Sequence, residues 1–462
     1  MARRKRVPAG EVARPTGRRR VVELVKDLLI LALICSAVYL AFQSQAYGGL
    51  APGGGLLGLL GGSGGAQDGG TANLVGLDGA RPVRIAVYNG AGGGAEAVAV
   101  RYGVQYDTQE ADQIYEALGG FLNEALAGAK NRRLATEADW RRALQSPGVY
   151  FDLLGSAPLE ALYDWTAAGK SNAALAGSAR HLALSCTGGS TAELYYINEE
   201  DGSYYAYETA LDCQGRFADA LAAWAPSSNG TEFAFEQEAY AGLGPYTMLQ
   251  AERVLESSLY RASSPVNPAD PDSLDVLKGA LGFPNEYVSG EEIVLWEGGS
   301  ERVRVDARGV VSYHMADGGE SPRYPVASAG ESPTRAELLE AVSALVSRTV
   351  AAQAGAARVY LMDLTRQGDG SWEARFGYSL DGSAVLLPGG ACAAHFVIRG
   401  DRITDYTLTF RSYEPTGEAK SVLRAEQAAA ALGALHQKGK SLELCYDDSA
   451  GGETVEARWA AR

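Results

Sequence analysis

The chain has 462 residues, with 41 Lys and Arg against 56 Asp and Glu, for a net charge of −15 at neutral pH. Hydrophobic residues make up 46% of it, so large cores can form, and the length allows two or three domains. Residues 1–27 carry nine Lys and Arg against three acids, which leaves the rest of the chain at about −21; so acidic a body repels nucleic acid and bare anionic surfaces and argues against both as partners.

The first element is apolar and uncharged. Leu28 to Phe42 reads LLILALICSAVYLAF, preceded by Arg3-Arg4-Lys5-Arg6 and Arg18-Arg19-Arg20. Basic residues on one flank predict a membrane helix over 21–43 with its N-terminus in the cytoplasm and the bulk of the chain extracytoplasmic. The uncharged core is about 15 residues, short of the usual span, but Val21, Val22, Leu24 and Val25 extend its apolar face. Ser44-Gln45-Ala46 offers the alternative of a cleaved signal peptide; the long basic tail favours retention. Ile34 before Cys35 argues against a lipoprotein. Ala32, Cys35, Ser36 and Tyr39 share one helix face at i, i+3, i+4, i+7 spacing, a candidate packing surface for another membrane helix.

A Gly-rich spacer over 44–80 follows. Strands are predicted at 82–88 and 97–106, and Asp107-x-x-Glu110 opens a helix with Ile114, Leu118, Phe121, Leu122, Ala125 and Leu126 at helical spacing. Thr136 caps a shorter helix bearing Trp140 and Leu144; a strand over 149–154 leads to a helix begun by Pro158. Residues 181–186, 192–197 and 204–211 read as an antiparallel meander with a hairpin turn at Asp201-Gly202. After the Pro-rich 264–271 break come a helix over 273–281 and strands at 293–296, 303–306 and 310–314. A second break at 318–333 precedes a helix over 334–351, strands at 357–364, 372–378, 393–399 and 403–411, a helix over 421–435 and a last hairpin, 442–446 with 454–459. Two hairpins turning at Arg-Gly, Val303 to Tyr313 and His395 to Tyr406, form a faint internal repeat. The predicted class is α+β: a single N-terminal transmembrane helix, then extracytoplasmic domains of antiparallel sheets packed with helices.

No motif assembles a catalytic centre. Gly90-Ala91-Gly92-Gly93-Gly94-Ala95 matches a dinucleotide fingerprint, but strand-forming residues follow where a helix is required. Gly169-Lys170-Ser171 lacks the first glycine of a phosphate loop, and Gly61-Gly62-Ser63-Gly64-Gly65 lacks the strand and helix of a serine elbow. His181, His314, His395 and His436 have no ligand spacing. Glu291-Glu292 and Asp447-Asp448 read as solvated turns, and Tyr195, Tyr196, Tyr204, Tyr205 and Tyr207 as a cross-strand ladder. Cys186, Cys213, Cys392 and Cys445 allow three disulfide pairings or none. The expectation is a protein that is not an enzyme and takes no cofactor or metal.

The plan resembles the YycH/YycI group, single-pass accessory proteins of the WalK–WalR cell-wall two-component system in Firmicutes. The resemblance rests on Val21 to Asp27 before the membrane helix, on PGVYFDLLGSAPLEALYDW from Pro147 to Trp165, on the hairpin-plus-Tyr units, and on the ending from Ser421 to Trp459. It implies a regulator whose partners are the membrane, a sensor histidine kinase (WalK-like) and a second YycH/YycI-type protein. The other reading is a cell-surface ligand- or peptide-binding protein with no kinase partner. The expected divisions are a cytoplasmic tail at 1–20, the membrane helix at 21–43, the spacer at 44–80, and α+β domains at 81–264, 265–332 and 333–462.

Overall fold

The structure, a computed structural model, describes residues 81–90, 100–167, 172–240, 242–250, 255–297, 301–315, 323–328, 330–434 and 441–461. The basic tail, the membrane helix with Ala32, Cys35, Ser36 and Tyr39, the spacer, and most of the two glycine motifs at 90–95 and 169–171 lie outside them. Among the described residues no helix is long and apolar enough to cross a membrane.

The first part is a seven-stranded antiparallel sheet. Its strands are β1 (Arg84–Gly90), β2 (Val100–Gln105), β3 (Lys130–Ala135), β4 (Gly148–Pro158), β5 (Ser178–Ser185), β6 (Thr191–Asn198) and β7 (Ser203–Asp212), in the order β2-β1-β4-β5-β6-β7-β3. Alternation along the strands sends side chains to two faces. Ile85, Val87, Phe151, Leu182, Leu184 and Tyr196 face one core; Ala86, Tyr150, Ala183, Tyr195, Ile197 and Ala206 face another.

The first face is covered by α1 (Thr108–Gly128). Its N-terminus is capped by Asp107, which accepts from the Glu110 amide at 3.0 Å, as the D-x-x-E pattern predicts. Glu110 itself accepts from the Tyr102 hydroxyl. Ile114, Leu118, Leu122 and Leu126 are buried, and their transfer from water favours folding by roughly 6–12 kcal/mol before entropy is counted. The Asn172 amide donates to the Leu126 and Ala129 carbonyls at the other end. The opposite face is covered by α2 (Glu137–Leu144), held by a reciprocal Thr136–Asp139 cap, with Trp140 buried against the sheet. The helix expected from Pro158 is α3 (Leu159–Ala167); Pro158 is the last strand residue, paired with Ser178.

Past α4 (Arg216–Trp224) and the two-stranded hairpin β8 (Thr231–Phe233) and β9 (Met248–Gln250), the chain enters a 13-stranded sheet with β10 (Leu255–Ser263). Then α5 (Pro271–Leu281) precedes β11 (Asn285–Ser289), β12 (Glu292–Trp296), β13 (Arg302–Val305) and β14 (Val310–His314). Asp270 caps α5, Pro271 starts it, and Gly282 ends it at φ 74°, a conformation that favours glycine. Next, α6 (Arg335–Arg348), with a Thr334–Glu337 capping box, precedes β15 (Arg358–Arg366), β16 (Trp372–Leu380), β17 (Ser383–Leu386), β18 (Ala394–Arg399) and β19 (Arg402–Thr409). β20 (Ser412–Val422), α7 (Ala425–Ala434), β21 (Leu442–Asp447) and β22 (Thr454–Ala461) complete the chain.

The internal repeat is therefore larger than two hairpins. Each copy is a helix followed by an antiparallel meander, and the copies join edge to edge through β14 and β19 in the order β11-β12-β13-β14-β19-β18-β16, with β15 beyond β16. Pairing in the 13-stranded sheet is antiparallel except for β17 with β21. The helix expected from Ser421 begins at Ala425, because Ser421 and Val422 pair with Glu256 and Leu255 of β10. At Gly155, β4 crosses β15 so closely that a Cβ would lie 1.9 Å from the Leu361 carbonyl oxygen. The largest buried apolar cluster runs through both sheets, from Ile85 and Phe151 to Phe376 and Tyr406; the opposite face of the first sheet and a small group around Leu154, Tyr360 and Cys445 form separate clusters.

Candidate functional site

Four charges meet where the first sheet abuts β21. Cross-strand register sets Arg84 of β1 opposite Asp152 of β4, and Asp152 opposite His181 of β5. Arg84 donates to Asp152 at 2.5 Å. Arg180 donates to both Asp152 oxygens, at 2.8 and 3.1 Å, and reaches Glu443 of β21 at 2.7 Å. Asp152 also accepts the Leu154 amide at 2.8 Å. Arg84, Asp152, His181 and Glu443 are all buried, and Arg84 lies against the Tyr106 ring. Two cations and two anions balance, as a buried cluster requires.

The same groups are unsuited to proton transfer near neutral pH. Burial opposes the charge on Asp152, yet Arg180 and Arg84 outweigh it and hold the carboxyl well below its ordinary value. Burial pushes His181 down to about 3 despite Asp152. It pushes the Tyr150 hydroxyl, which shares a 2.8 Å hydrogen bond with His181 Nδ1, well above 10. A general acid or base works best with a value near the operating pH; these three are moved away from it. His181 is stacked on Tyr246 at 4.0 Å, so it is a core residue.

The cavities here are small. One, of about 20 Å³, is lined by Arg84, Tyr106, Asp152, Arg180, Tyr246 and Glu443; another, of about 10 Å³, lies beside Arg101 and Tyr150. Such volumes suit a single water molecule rather than an organic ligand. Among the described residues, no group of three His, Cys, Asp or Glu side chains is placed to hold a metal ion.

Other sequence candidates fall in separate places. His314 bonds Asp405 and His395 lies near Glu373, both toward the surface. Tyr196 stacks between Tyr205 and Tyr207 inside the first sheet, so the tyrosine ladder is packing, with Arg132 lying 3.7 Å over the Tyr205 ring. Asp448, read as a solvated turn, is buried and bound bidentately by Arg411 at 2.7 Å and by the Tyr413 hydroxyl at 2.9 Å. Cys186 and Cys213 form a disulfide; Cys392 and Cys445 are thiols. The four-charge cluster was missed because its members lie far apart in sequence. Its signal is a charge interrupting an apolar strand, as Asp152 does in Val149–Leu154 and Glu443 in Leu442–Tyr446.

No family model matches the sequence, and no curated protein does. The structure is similar to the crystal structure of YycH from Bacillus subtilis, with a TM-score of 0.53 and 12% identity, covering 85% of this chain and 95% of that one. Mixed α+β architecture, antiparallel sheets with helices packed on them, and coverage of nearly the whole YycH chain together make this a YycH-like fold.

Proposed function

We propose that this protein is a membrane-anchored extracytoplasmic regulator that binds a sensor histidine kinase and biases its signalling state in cell-wall homeostasis. The observation that carries the reading is the YycH-like fold over 85% of the chain, together with the kinase role that the YycH/YycI resemblance implies. The Cys186–Cys213 disulfide supports an extracytoplasmic location, since structural disulfides persist in oxidising compartments. The regulator acts by interacting differently with two kinase conformations. Its anchor face of Ala32, Cys35, Ser36 and Tyr39 meets a kinase membrane helix, and its outer part meets the kinase sensor domain.

The test is co-purification of the full-length chain with the kinase from solubilised membranes, alongside a reporter of kinase output. The expected result is co-purification and a change in output of at least twofold on depletion. Unchanged output with no co-purification overturns the proposal. Ala32→Leu with Ser36→Leu should weaken co-purification while preserving insertion; a wild-type result confines the contact to the outer part.

A further inference from the structure

The sheets end in edges, and an open edge invites another strand unless something blocks it. The outer side of β2 is occupied: Asn229 and Gln250 side chains bond the Gly103 amide and carbonyl. β3 is irregularly paired and carries Lys130, Arg132 and Arg133. β20 contains Pro415, Lys420 and an irregularity opposite Ser258 to Tyr260. β15 is crossed by β4 at Gly155.

β11 has none of these devices. Its five residues pair with β12 in unbroken register, Asn285 with Trp296 through Ser289 with Glu292. It holds no proline and one charge, Glu286. All five residues are exposed. Tyr287 and Val288, which point to opposite faces, are 46% and 72% exposed, so among the described residues neither face is covered.

The charge around this edge selects the occupant. Residues 265–315 carry nine acids against four bases, and Arg323, which pairs with Glu297 and Glu301, adds a fifth base and leaves the surroundings net acidic. The nearest base, Lys278, is already held by Asp275 at 2.6 Å and Glu286 at 3.1 Å. A second copy of the chain would bring like charge to like charge, whereas a strand bearing lysine or arginine is attracted.

We propose that β11 is a strand-addition site for a basic extended segment of a partner protein, with Tyr287 and Val288 as its two apolar contacts. Main-chain hydrogen bonds along five residues, roughly 17 Å, supply affinity, and alternate side chains supply selectivity. The assignment rests on the regulator reading only for the partner's identity.

The test uses the full-length protein in detergent and two fluorescein-labelled peptides, one of alternating lysine and valine, the other of alternating glutamate and valine. Fluorescence anisotropy at physiological salt should show the lysine peptide binding at least tenfold tighter. Hydrogen exchange should show new protection at 285–289. Val288→Lys should weaken binding at least fivefold, while Leu423→Lys, the same charge change at an exposed residue beside the far edge, should not. Because neighbouring residues send their N–H groups to opposite sides, one of Tyr287→Pro and Val288→Pro removes only the outward donor. That variant should keep its melting temperature and lose binding.

Equal binding by wild type and Val288→Lys, or protection elsewhere, overturns the proposal. A dimer in sedimentation that Val288→Lys disperses would replace the basic partner with a second copy and overturn it as well. No kinase enters this assay, so its failure leaves the kinase reading standing. Peptide binding with unchanged kinase output would sink that reading alone.

Discussion

Tyr313 and Tyr406 lie face to face across the β14–β19 pairing, with ring centroids 4.8 Å apart and planes within 16°. Each is the tyrosine that closes its copy of the repeated hairpin. Both are buried, and Tyr324 adds a third ring whose hydroxyl donates to the Leu281 carbonyl at 2.9 Å. The seam between the two copies is thus an aromatic stack.

Truncating that stack should be costly. Tyr406→Ala and Tyr313→Ala should each destabilise by about 3–5 kcal/mol, as large-to-small changes in a packed core do. Tyr406→Phe, which removes only the hydroxyl beside Tyr324, should cost about 1 kcal/mol. Denaturant titration separates these, and similar losses for the alanine and phenylalanine variants would show that the rings are not what binds the seam.

Acid should weaken the fold through His181. Folded, its proton affinity is pushed down to about 3 by burial; unfolded, it returns to about 6.5. Between these values the unfolded chain takes up a proton that the folded chain refuses. The stability is therefore complete above about pH 6.5 and declines as pH falls toward 3, by up to roughly 1.4 kcal/mol per pH unit. Asp152, held low in the fold, acts in the same direction below about pH 4. Unfolding free energies measured at several pH values should show the slope, and His181→Gln should flatten it between pH 5 and 6.5.

Arg180 joins the two sheets through Asp152 and Glu443. Arg180→Met removes one member of a buried ion pair and should cost about 3–5 kcal/mol. Adding Glu443→Leu should restore a large part of that loss, because the second change removes the carboxylate left facing an apolar side chain. A double-mutant cycle gives the coupling directly; additive effects would show that the Arg180–Glu443 contact contributes nothing of its own.

The disulfide closes a loop with a sequence separation of 27. Chain entropy assigns such a bridge about 3.5 kcal/mol. Cys186→Ser with Cys213→Ser should lower the denaturation midpoint accordingly. Mass spectrometry after alkylation without reductant should find label on Cys392 and Cys445 in the unfolded protein and none on Cys186 or Cys213.

Elements whose signals are local were legible in the sequence. The caps at Asp107 and Thr136 start helices where the sequence places them, the helix expected over 334–351 runs from Arg335 to Arg348, and Asp201-Gly202 and the two Arg-Gly pairs turn hairpins. Strands without alternation were not. β3 reads KNRRLA and β11 reads NEYVS, and each is held by its neighbour's backbone rather than by an apolar face. β20 holds Pro415 and Gly417, which argue against a strand until β10 is seen beside it. The four-charge cluster depends on strands brought together from four distant segments, so only the anomaly of buried charge marks it beforehand.

The seam also governs what a fragment would do. Residues 333–462 alone would carry β19 with its outward amides and carbonyls stripped of β14, and a hairpin of the same design is what that edge is shaped to accept. A shortened chain would supply such a hairpin from its own twin. Proteolysis between the copies, by contrast, would leave β14 paired with β19, converting an internal joint into an intermolecular one.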